Sequence, residues 1–227
     1  MKILVTGSSG FFGSWLVPWL QGAGNEIVGY DLAEERNLFD AATLGAALDG
    51  CDAVIHLAAY PHYKPDILPQ LFTRLNIIGT ARLVEAMDKA KVRRLVYTAS
   101  GAIYGFGPDR PDKGWVTPPI RETQKPTNWG LVDAYGASKL ACEAWLACLP
   151  SRSWTVTSLR INCIEPLHWG AKENGTHWGW WVSQNLACRA FLAAAKRERG
   201  GYQIVNVAEP NSNMDLAQLD ALLAGRL

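Results

Sequence analysis

The chain has 227 residues, a formal net charge of +1 and 48% hydrophobic residues, which suit one globular unit with an ordinary core. The balanced charge and the lack of a Lys/Arg run argue against nucleic acid or an acidic membrane surface as a partner. Five cysteines without a CxxC pair and four histidines without ligand spacing predict reduced thiols and no metal site.

Short apolar runs alternate with helix-length segments along the chain. The predicted strands are rich in Val and Ile and lack clean alternation, as expected of strands buried on both faces. They are Lys2–Thr6, Glu26–Tyr30, a very short one at Glu35–Leu38, Asp52–Leu57, Arg94–Thr98, Thr155–Leu159 and Gln203–Val207. Helices are predicted over roughly 11–21, 40–49, 67–90, 133–149, 182–196 and 214–224. The alternation predicts an α/β fold with a doubly wound parallel sheet.

A glycine-rich turn, TGSSGFFG at residues 6–13, directly follows the first strand and opens the first helix. Gly7 permits a tight turn, Gly10 lets a pyrophosphate approach the backbone, and Gly13 allows the helix to pack closely on the strand. The start of the helix then offers free N–H groups and a partial positive charge to the phosphates. The strand before and the helix after are the context that a dinucleotide site requires, so we predict a Rossmann-type fold.

The same glycines interrupt the apolar stretch at the N-terminus, so we expect neither a signal peptide nor a membrane span, and a cytoplasmic location. Asp31 ends the second strand, where an acidic residue accepts hydrogen bonds from the adenosine ribose and repels a 2′-phosphate. This favours NAD over NADP as the cofactor. Alternatively, Asp31 only caps a turn, and Arg36 could still accommodate NADP.

Tyr135 and Lys139 lie four residues apart at the start of a predicted helix, so their side chains share one face. A free phenol has a pKa of about 10 and is a poor base at neutral pH. A neighbouring ammonium and the positive nicotinamide of NAD⁺ would both lower that pKa. Ser100, after the Arg94–Thr98 strand, could hydrogen-bond the reacting oxygen. The alternative interpretation of the Tyr–Lys spacing is a plain amphipathic helix face.

With these motifs the chain resembles the extended short-chain dehydrogenases/reductases, the NAD-dependent epimerase/dehydratase group. The resemblance is carried in order by TGSSGFFG at Thr6–Gly13, Asp31, DAVIHLAA at Asp52–Ala59, NIIGT at Asn76–Thr80, YTASGAIYG at Tyr97–Gly105, YGASK at Tyr135–Lys139 and LRI at Leu159–Ile161. It implies catalysis by Ser100, Tyr135 and Lys139. The cofactor contacts that it implies are Gly7, Gly10, Phe11, Phe12, Gly13, Asp31, Asn37, Leu38, Leu57, Ala58, Ala59, Asn76, Tyr135, Lys139 and Pro166.

Departures from the family narrow the chemistry that the resemblance implies. Gly101 and Ala102 stand where the 4,6-dehydratases have an Asp-Glu pair, and Ala102 also stands where some epimerase-reductases have Cys. Asn37 replaces the more usual Asp, and Asn162 precedes Cys163 where many sugar-nucleotide enzymes have Asn. The part after Arg160 is shorter than the usual nucleotide-binding lobe and resembles the compact uronate-dehydrogenase-like branch.

Substrate contacts are expected near the carboxyl edge of the sheet and in the irregular stretch Leu167–Trp181. The candidates are His62, Tyr63, Gly101, Ala102, Asn162 and Trp169. The tryptophans of that stretch could stack on a sugar, form a subunit contact, or simply pack an irregular region. His56, within the fourth predicted strand, is expected to be structural.

We therefore expect residues 1–227 to form a single Rossmann-type domain. Residues 1–165 would form its NAD-binding core, and residues 166–227 a reduced, interleaved substrate-binding region. The predicted activity is redox chemistry at a hydroxyl-bearing carbon of a sugar or sugar acid, as a dehydrogenase or an epimerase. The alternatives are a sugar-nucleotide 4-epimerase and, in another class, a non-catalytic NAD-sensing regulator. The expected partner is a small sugar-like substrate, with no nucleic acid or membrane, and the chain could form a homodimer.

Overall fold

The computed structural model describes residues 1–60, 68–104, 119–124, 134–150, 152–161, 163–164, 181–210, 212 and 214–227. Its strands are β1 (Lys2–Thr6), β2 (Glu26–Tyr30), β3 (Ala53–His56), β4 (Arg94–Ser100), β5 (Thr155–Ile161), β6 (Cys163–Ile164), β7 (Trp181–Val182) and β8 (Gly201–Val207). Six of them form a parallel sheet in the order β2-β1-β3-β4-β5-β8, and β6 pairs with β7 separately. The strand order reverses beside β1, so a crevice for ligands is expected at its carboxyl end.

Helices connect the strands in the predicted order. They are α1 (Gly13–Gly22), α2 (Ala41–Leu48), α3 (Pro69–Leu71), α4 (Thr80–Lys89), α5 (Ala134–Leu146), α6 (Gln184–Lys196) and α7 (Ala217–Leu223). A π-helix at Phe72–Gly79 joins α3 to α4 in one continuous helical run. Short 3₁₀ turns follow β2 at Leu32–Glu34 and β4 at Gly101–Tyr104. None of the helices that the structure describes is both long and apolar enough to pass through a lipid bilayer.

Apolar side chains cover both faces of the sheet, which explains why the strands lack a polar alternation. In β1, Ile3 and Val5 face the core formed with α1, α6 and α7, whereas Leu4 faces the core formed with α2, α4 and α5. Phe191 of α6 and Leu146 of α5 are fully buried on these two sides. The predicted doubly wound α/β architecture is therefore confirmed.

The predicted strand at Glu35–Leu38 is wrong. After the 3₁₀ turn at Leu32–Glu34, Glu35 adopts a left-handed backbone with a φ of +59°, which ends any extended path. The hydroxyl of Tyr30 then donates to the carbonyl of Asn37 at 2.8 Å and holds the segment across the end of β2. Local turns therefore use the backbone groups that a strand would need for pairing.

Candidate cofactor and catalytic site

The glycine-rich turn lies at the carboxyl end of β1, beside the loop that follows β3. Gly7 has a φ of +72°, and a Cβ there would lie 2.7 Å from the backbone nitrogen of Ala58. A Cβ on Gly13 would lie 2.2 Å from the carbonyl oxygen of Gly7, so both positions require glycine. The N–H groups of Phe11 and Phe12 have no acceptor within the described residues. These two donors at the start of α1 fit a pyrophosphate.

Two carboxylates lie beside the first half of this turn. Asp31 accepts a hydrogen bond from the N–H of Ser9 at 3.2 Å and, through its other oxygen, caps the 3₁₀ turn at the N–H of Ala33 at 3.0 Å. Glu34 accepts hydrogen bonds from the hydroxyls of Ser8 at 3.2 Å and Ser9 at 3.4 Å. Asp31 is thus both a turn cap and a neighbour of the cofactor turn. Sequence reasoning missed Glu34, whose only signal is an acidic residue shortly after Asp31.

Arg36 has one guanidinium nitrogen engaged within the chain. Its guanidinium donates to the carbonyl of Gly29 and lies 3.7 Å from the Glu34 carboxylate. The charge beside the glycine-rich turn is therefore negative at Asp31 and partly neutralised at Glu34. This arrangement favours a free ribose hydroxyl over a phosphate and supports the expected preference for NAD.

The other predicted cofactor residues surround the same crevice. Asn37 is exposed, and its Oδ1 accepts the N–H of Phe39 at 3.0 Å. Leu38 is buried in the core on the α2 side, so a contact from it to adenosine would come from its backbone. Leu57, Ala58 and Ala59 follow β3 and are half-buried. Their contacts with the cofactor stay predictions.

The predicted catalytic residues lie at the carboxyl end of β4. Lys139 of α5 is buried, and its ammonium donates to the carbonyl of Thr98 at 2.8 Å. The same nitrogen lies 5.7 Å from the ring centre of Tyr135 and 5.1 Å from that of Tyr97. Burial lowers the pKa of Lys139 to about 8. Ser100 ends the same strand two residues beyond Thr98, the residue whose carbonyl holds Lys139.

Asn76, a predicted cofactor residue, lies in the π-helix and is almost fully buried. Its Oδ1 accepts the N–H of Tyr60 at 2.9 Å, and its Nδ2 donates to the hydroxyl of Ser138 at 2.9 Å. Ser138 in turn donates to the carbonyl of Tyr135 at 2.7 Å. Asn76 therefore ties the loop after β3 to the helix that carries the predicted catalytic pair. Its direct contact with the cofactor stays a prediction.

His56 is structural, as expected. It is buried, and its ring nitrogens lie 2.6 Å from the hydroxyl of Thr6 and 2.9 Å from that of Thr80. Burial lowers the pKa of His56 to about 3, and the charge of Lys139 acts in the same direction. The ring is thus neutral at physiological pH and joins β1, β3 and α4.

A buried ion pair joins α5 to β5. Arg160 of β5 donates to both carboxylate oxygens of Glu143, the shortest contact being 2.7 Å, and the two side chains are 5% and 3% exposed. Arg160 also donates to the hydroxyl of Tyr104 at 2.6 Å, which donates to Asn206 of β8 at 2.9 Å. Ser158 donates to Glu143 at 2.8 Å. The network fixes α5, which carries the predicted catalytic pair, to β5 and β8.

Sequence reasoning missed Glu143 as part of the site. Its one signal is a carboxylate four residues after Lys139 on the same helix face. Nothing near it in sequence indicates its partner Arg160, because the contact arises only when α5 packs on β5.

The predicted substrate residues are only partly placed. Gly101 and Ala102 are buried in the turn after β4, where the N–H of Ala102 donates to the hydroxyl of Ser100 at 3.1 Å. The residues that lie outside the described ranges are His62, Tyr63, Asn162, Pro166 and Trp169, together with Trp178 and Trp180. Within the described ranges, no group of His, Cys, Asp and Glu side chains could hold a metal ion.

Known proteins resemble this chain in sequence over the same region. The model of the NAD dependent epimerase/dehydratase family matches residues 3–165. UDP-glucose 4-epimerase of Mycolicibacterium smegmatis is 33% identical over 168 residues, which are 64% of this chain and 50% of that protein. The chain spans about half the length of the curated relatives that it matches.

Solved structures resemble it over nearly its whole length. MoeE5, in complex with UDP-glucuronic acid and NAD, matches 99% of this chain and 93% of its own with a TM-score of 0.77 at 20% identity. A mutated uronate dehydrogenase matches 98% of this chain and 79% of its own with a TM-score of 0.74 at 23% identity. At these identities the likeness establishes the fold. None of these findings supports the non-catalytic alternative.

Proposed function

The chain belongs to the NAD dependent epimerase/dehydratase family, whose cofactor is NAD, and we propose that it performs redox chemistry at a hydroxyl-bearing carbon of a sugar or sugar acid. The observation that carries this proposal is the buried ammonium of Lys139, held at the carbonyl of Thr98 and one helical turn from Tyr135. Among the described residues, Lys139 has no carboxylate within 4.0 Å, and a buried cation without such a partner is costly to maintain. A catalytic role explains this burial, because the Lys139 ammonium can stabilise the phenolate form of Tyr135.

In this proposal, Tyr135 removes the proton from the substrate hydroxyl. The charge of Lys139 favours the phenolate form of Tyr135, and the hydroxyl of Ser100 donates to the substrate oxygen as charge develops on it. NAD, when bound, supplies the acceptor for the hydride that leaves the same carbon. The N–H groups of Phe11 and Phe12 hold its pyrophosphate, and Asp31 holds its adenosine ribose.

The proposed division of the chain keeps residues 1–165 as the NAD-binding core. Residues 166–227 would add the substrate-binding region while remaining part of the same domain. This is supported by β8 and α6, which come from the second part but pack within the main sheet and its core. Val205 and Phe191 are fully buried there.

Product analysis tests the proposed activity. Purified protein is incubated with excess NAD and a panel of free sugars, sugar acids and nucleotide sugars, while the absorbance of reduced nicotinamide is followed. Stoichiometric accumulation identifies a dehydrogenase. A stereoisomer of the sugar without accumulation identifies an epimerase. Lys139→Met, which removes the ammonium, is the inactive control. If the unmodified protein forms neither product and behaves as this control does, the proposal is contradicted and the NAD-sensing alternative is favoured.

A sugar-nucleotide 4-epimerase is the second candidate. It is favoured by the 33% identity to the UDP-glucose 4-epimerase of Mycolicibacterium smegmatis across the cofactor-binding part. Isomerisation of a UDP-sugar in the same assay, with no turnover of free sugars, would select it.

We also propose a homodimer. Trp145 of α5 is 41% exposed and Ile78 of the π-helix is 45% exposed, and these two elements pack against each other. A second copy of the chain could cover large apolar side chains on this layer. Light scattering of the purified protein measures the molar mass directly, and a monomer across the working concentrations contradicts this part of the proposal.

A cytoplasmic location belongs to the same proposal. It is supported by five cysteines that show no paired spacing, a pattern typical of reducing compartments.

A further inference from the structure

A groove of about 490 Å³ lies at the amino-terminal edge of the sheet. Arg197 on its wall donates to the carbonyls of Val156, the second residue of β5, and Gly201, the first residue of β8. The proposed catalytic edge is at the other end, since Ser100 pairs with Ile161 at the end of β5. Five residues of β5 separate the two levels, which corresponds to about 17 Å. The groove is thus separate from the NAD site.

The groove combines an apolar wall with a cluster of cations. The wall is formed between α1, α6 and α7 by Trp19, Leu192, Leu222 and Leu223. The cations are Arg189, Lys196, Arg197 and Arg199. The one acidic residue among the lining side chains of the described structure is Glu198. A ligand with an anionic end and an apolar end would match this division.

The cations lack counter-ions. In the portion of the chain that the structure describes, none of the four lies within 4.0 Å of a carboxylate. Arg197 is only 8% exposed, and its Nε has no hydrogen-bond partner there. Burial lowers the pKa of Arg197, and the neighbouring charge of Arg199 lowers it further. The Nη1 of Arg197 already donates to the two carbonyls and to the hydroxyl of Thr157 at 3.4 Å, so this side chain forms part of the wall. The donors that an anion can reach are those of the exposed side chains Arg189, Lys196 and Arg199.

The end of α6 accounts for only part of the cluster. A cation at a helix C-terminus is stabilised by the helix dipole, which suits Lys196, the last residue of α6. Arg189 lies almost two turns earlier, and the dipole effect does not reach it. A solvated helix end also gives no reason for a concave apolar wall at Trp19 and Leu222.

We propose that this groove binds a small anionic ligand, with a phosphate or carboxylate head held by the arginines and an apolar body held against Trp19 and the leucines. Guanidinium groups bind both kinds of head through paired, charge-assisted hydrogen bonds. A groove of this volume is within the range that holds small molecules. The site is independent of the proposed redox activity.

Calorimetric titration of the full chain, saturated with NAD to occupy the other site, tests the proposal. The probes are phenyl phosphate, benzoate, inorganic phosphate and benzyl alcohol. At least one of the two aromatic anions is expected to bind at a single site, about tenfold or more tighter than inorganic phosphate and benzyl alcohol. The stronger of the two identifies the preferred head group. Failure of both aromatic anions to show saturable binding overturns the proposal.

A matched pair of variants locates the binding. Arg199→Gln removes an exposed cation that lines the groove, and should weaken the binding of the preferred aromatic anion by about tenfold. Arg226→Gln removes the same charge from a nearby exposed position that does not line the groove, and should leave the affinity nearly unchanged. Retained NAD affinity in both variants shows that they are folded. Equal weakening by the two changes would reveal non-specific attraction to a basic surface and overturn the proposal.

Discussion

At the scale of single residues, Lys139 carries an ammonium group in a buried environment that disfavours the charged form. Burial lowers its pKa to about 8, while Cys142 and Glu143 act in the opposite direction. Because the pKa is lowered, the ammonium predominates below pH 8 and is lost as the pH rises through that value. If the ammonium is the form that supports the Tyr135 phenolate, activity should follow its titration.

We therefore expect kcat/KM to fall above about pH 8, by about tenfold per pH unit. Lys139→Arg keeps a cation at every accessible pH, so its residual activity should lack this fall. Lys91→Arg makes the same exchange at an exposed position and should leave the profile unchanged. A fall at the same pH in Lys139→Arg would assign it to another group.

Cofactor preference also belongs to single residues. Asp31 and Glu34 place two carboxylates beside the turn at Ser9, where an added phosphate would be repelled. The double change Asp31→Asn with Glu34→Gln should raise NADP affinity relative to NAD by about tenfold. Glu35→Gln, an exposed neighbour with no contact to the turn, is the control. Calorimetry measures both dissociation constants, and an unchanged ratio in the double variant would refute this role.

At the scale of elements, α5 depends on its buried ion pair. Arg160→Met leaves the Glu143 carboxylate without its partner inside the protein, and should lower the free energy of unfolding by about 3–5 kcal/mol. The double variant Arg160→Met with Glu143→Leu removes both charges and should cost clearly less than the sum of the single changes. Urea unfolding measures all three. Additive losses would mean that the pair acts as two independent residues.

The order of strands and helices was predictable because each element carries a local signal. Apolar runs identified the buried strands, and polar caps such as Asp40 before α2 and Ser183 before α6 end the loops where the helices begin. The π-helix at Phe72–Gly79 was missed because its apolar spacing is that of an ordinary helix. The false strand at Glu35–Leu38 arose because a few residues cannot show whether the chain extends or turns.

The motifs of the proposed site could be identified where they are contiguous, as in the glycine-rich turn and the Tyr135–Lys139 pair. Glu143 was missed because it acquires its role through Arg160, which approaches only in the folded sheet. Glu34 is close to the turn only because the chain bends after Asp31. Contacts of this kind carry no pattern that one sequence can display.

At the scale of the whole molecule, the placement of charge bears on the size of the substrate. The described cations after Arg160 are Arg189, Lys196, Arg197, Arg199 and Arg226. The first four line the groove at the amino-terminal edge of the sheet, and Arg226 lies between two residues that line it, away from the proposed catalytic pair. They cannot neutralise a diphosphate at the catalytic edge, where such a group needs positive partners. Lys172 lies outside the described residues. The substrate is therefore expected to be a free sugar or sugar acid.

A thermal-shift panel with saturating NAD tests this expectation. Free sugars or sugar acids should raise the melting temperature more than the corresponding UDP- or GDP-sugars, since ligands stabilise the state that they bind. UDP alone serves as the control for binding through the nucleotide. Stabilisation by a nucleotide sugar, with none from the matching free sugar, would contradict this expectation and favour the sugar-nucleotide 4-epimerase candidate.

The most direct test of the proposed chemistry is the activity of Tyr135→Phe. The phenol oxygen is the atom assigned to the substrate proton, so its removal should lower kcat by about 100-fold or more. NAD affinity, measured by calorimetry, should be nearly unchanged because the pyrophosphate and ribose contacts are intact. Tyr202→Phe removes a phenol hydroxyl from β8 near the opposite edge of the sheet and should keep its activity. Most of the activity surviving in Tyr135→Phe would contradict the assignment of this residue as the acid–base group.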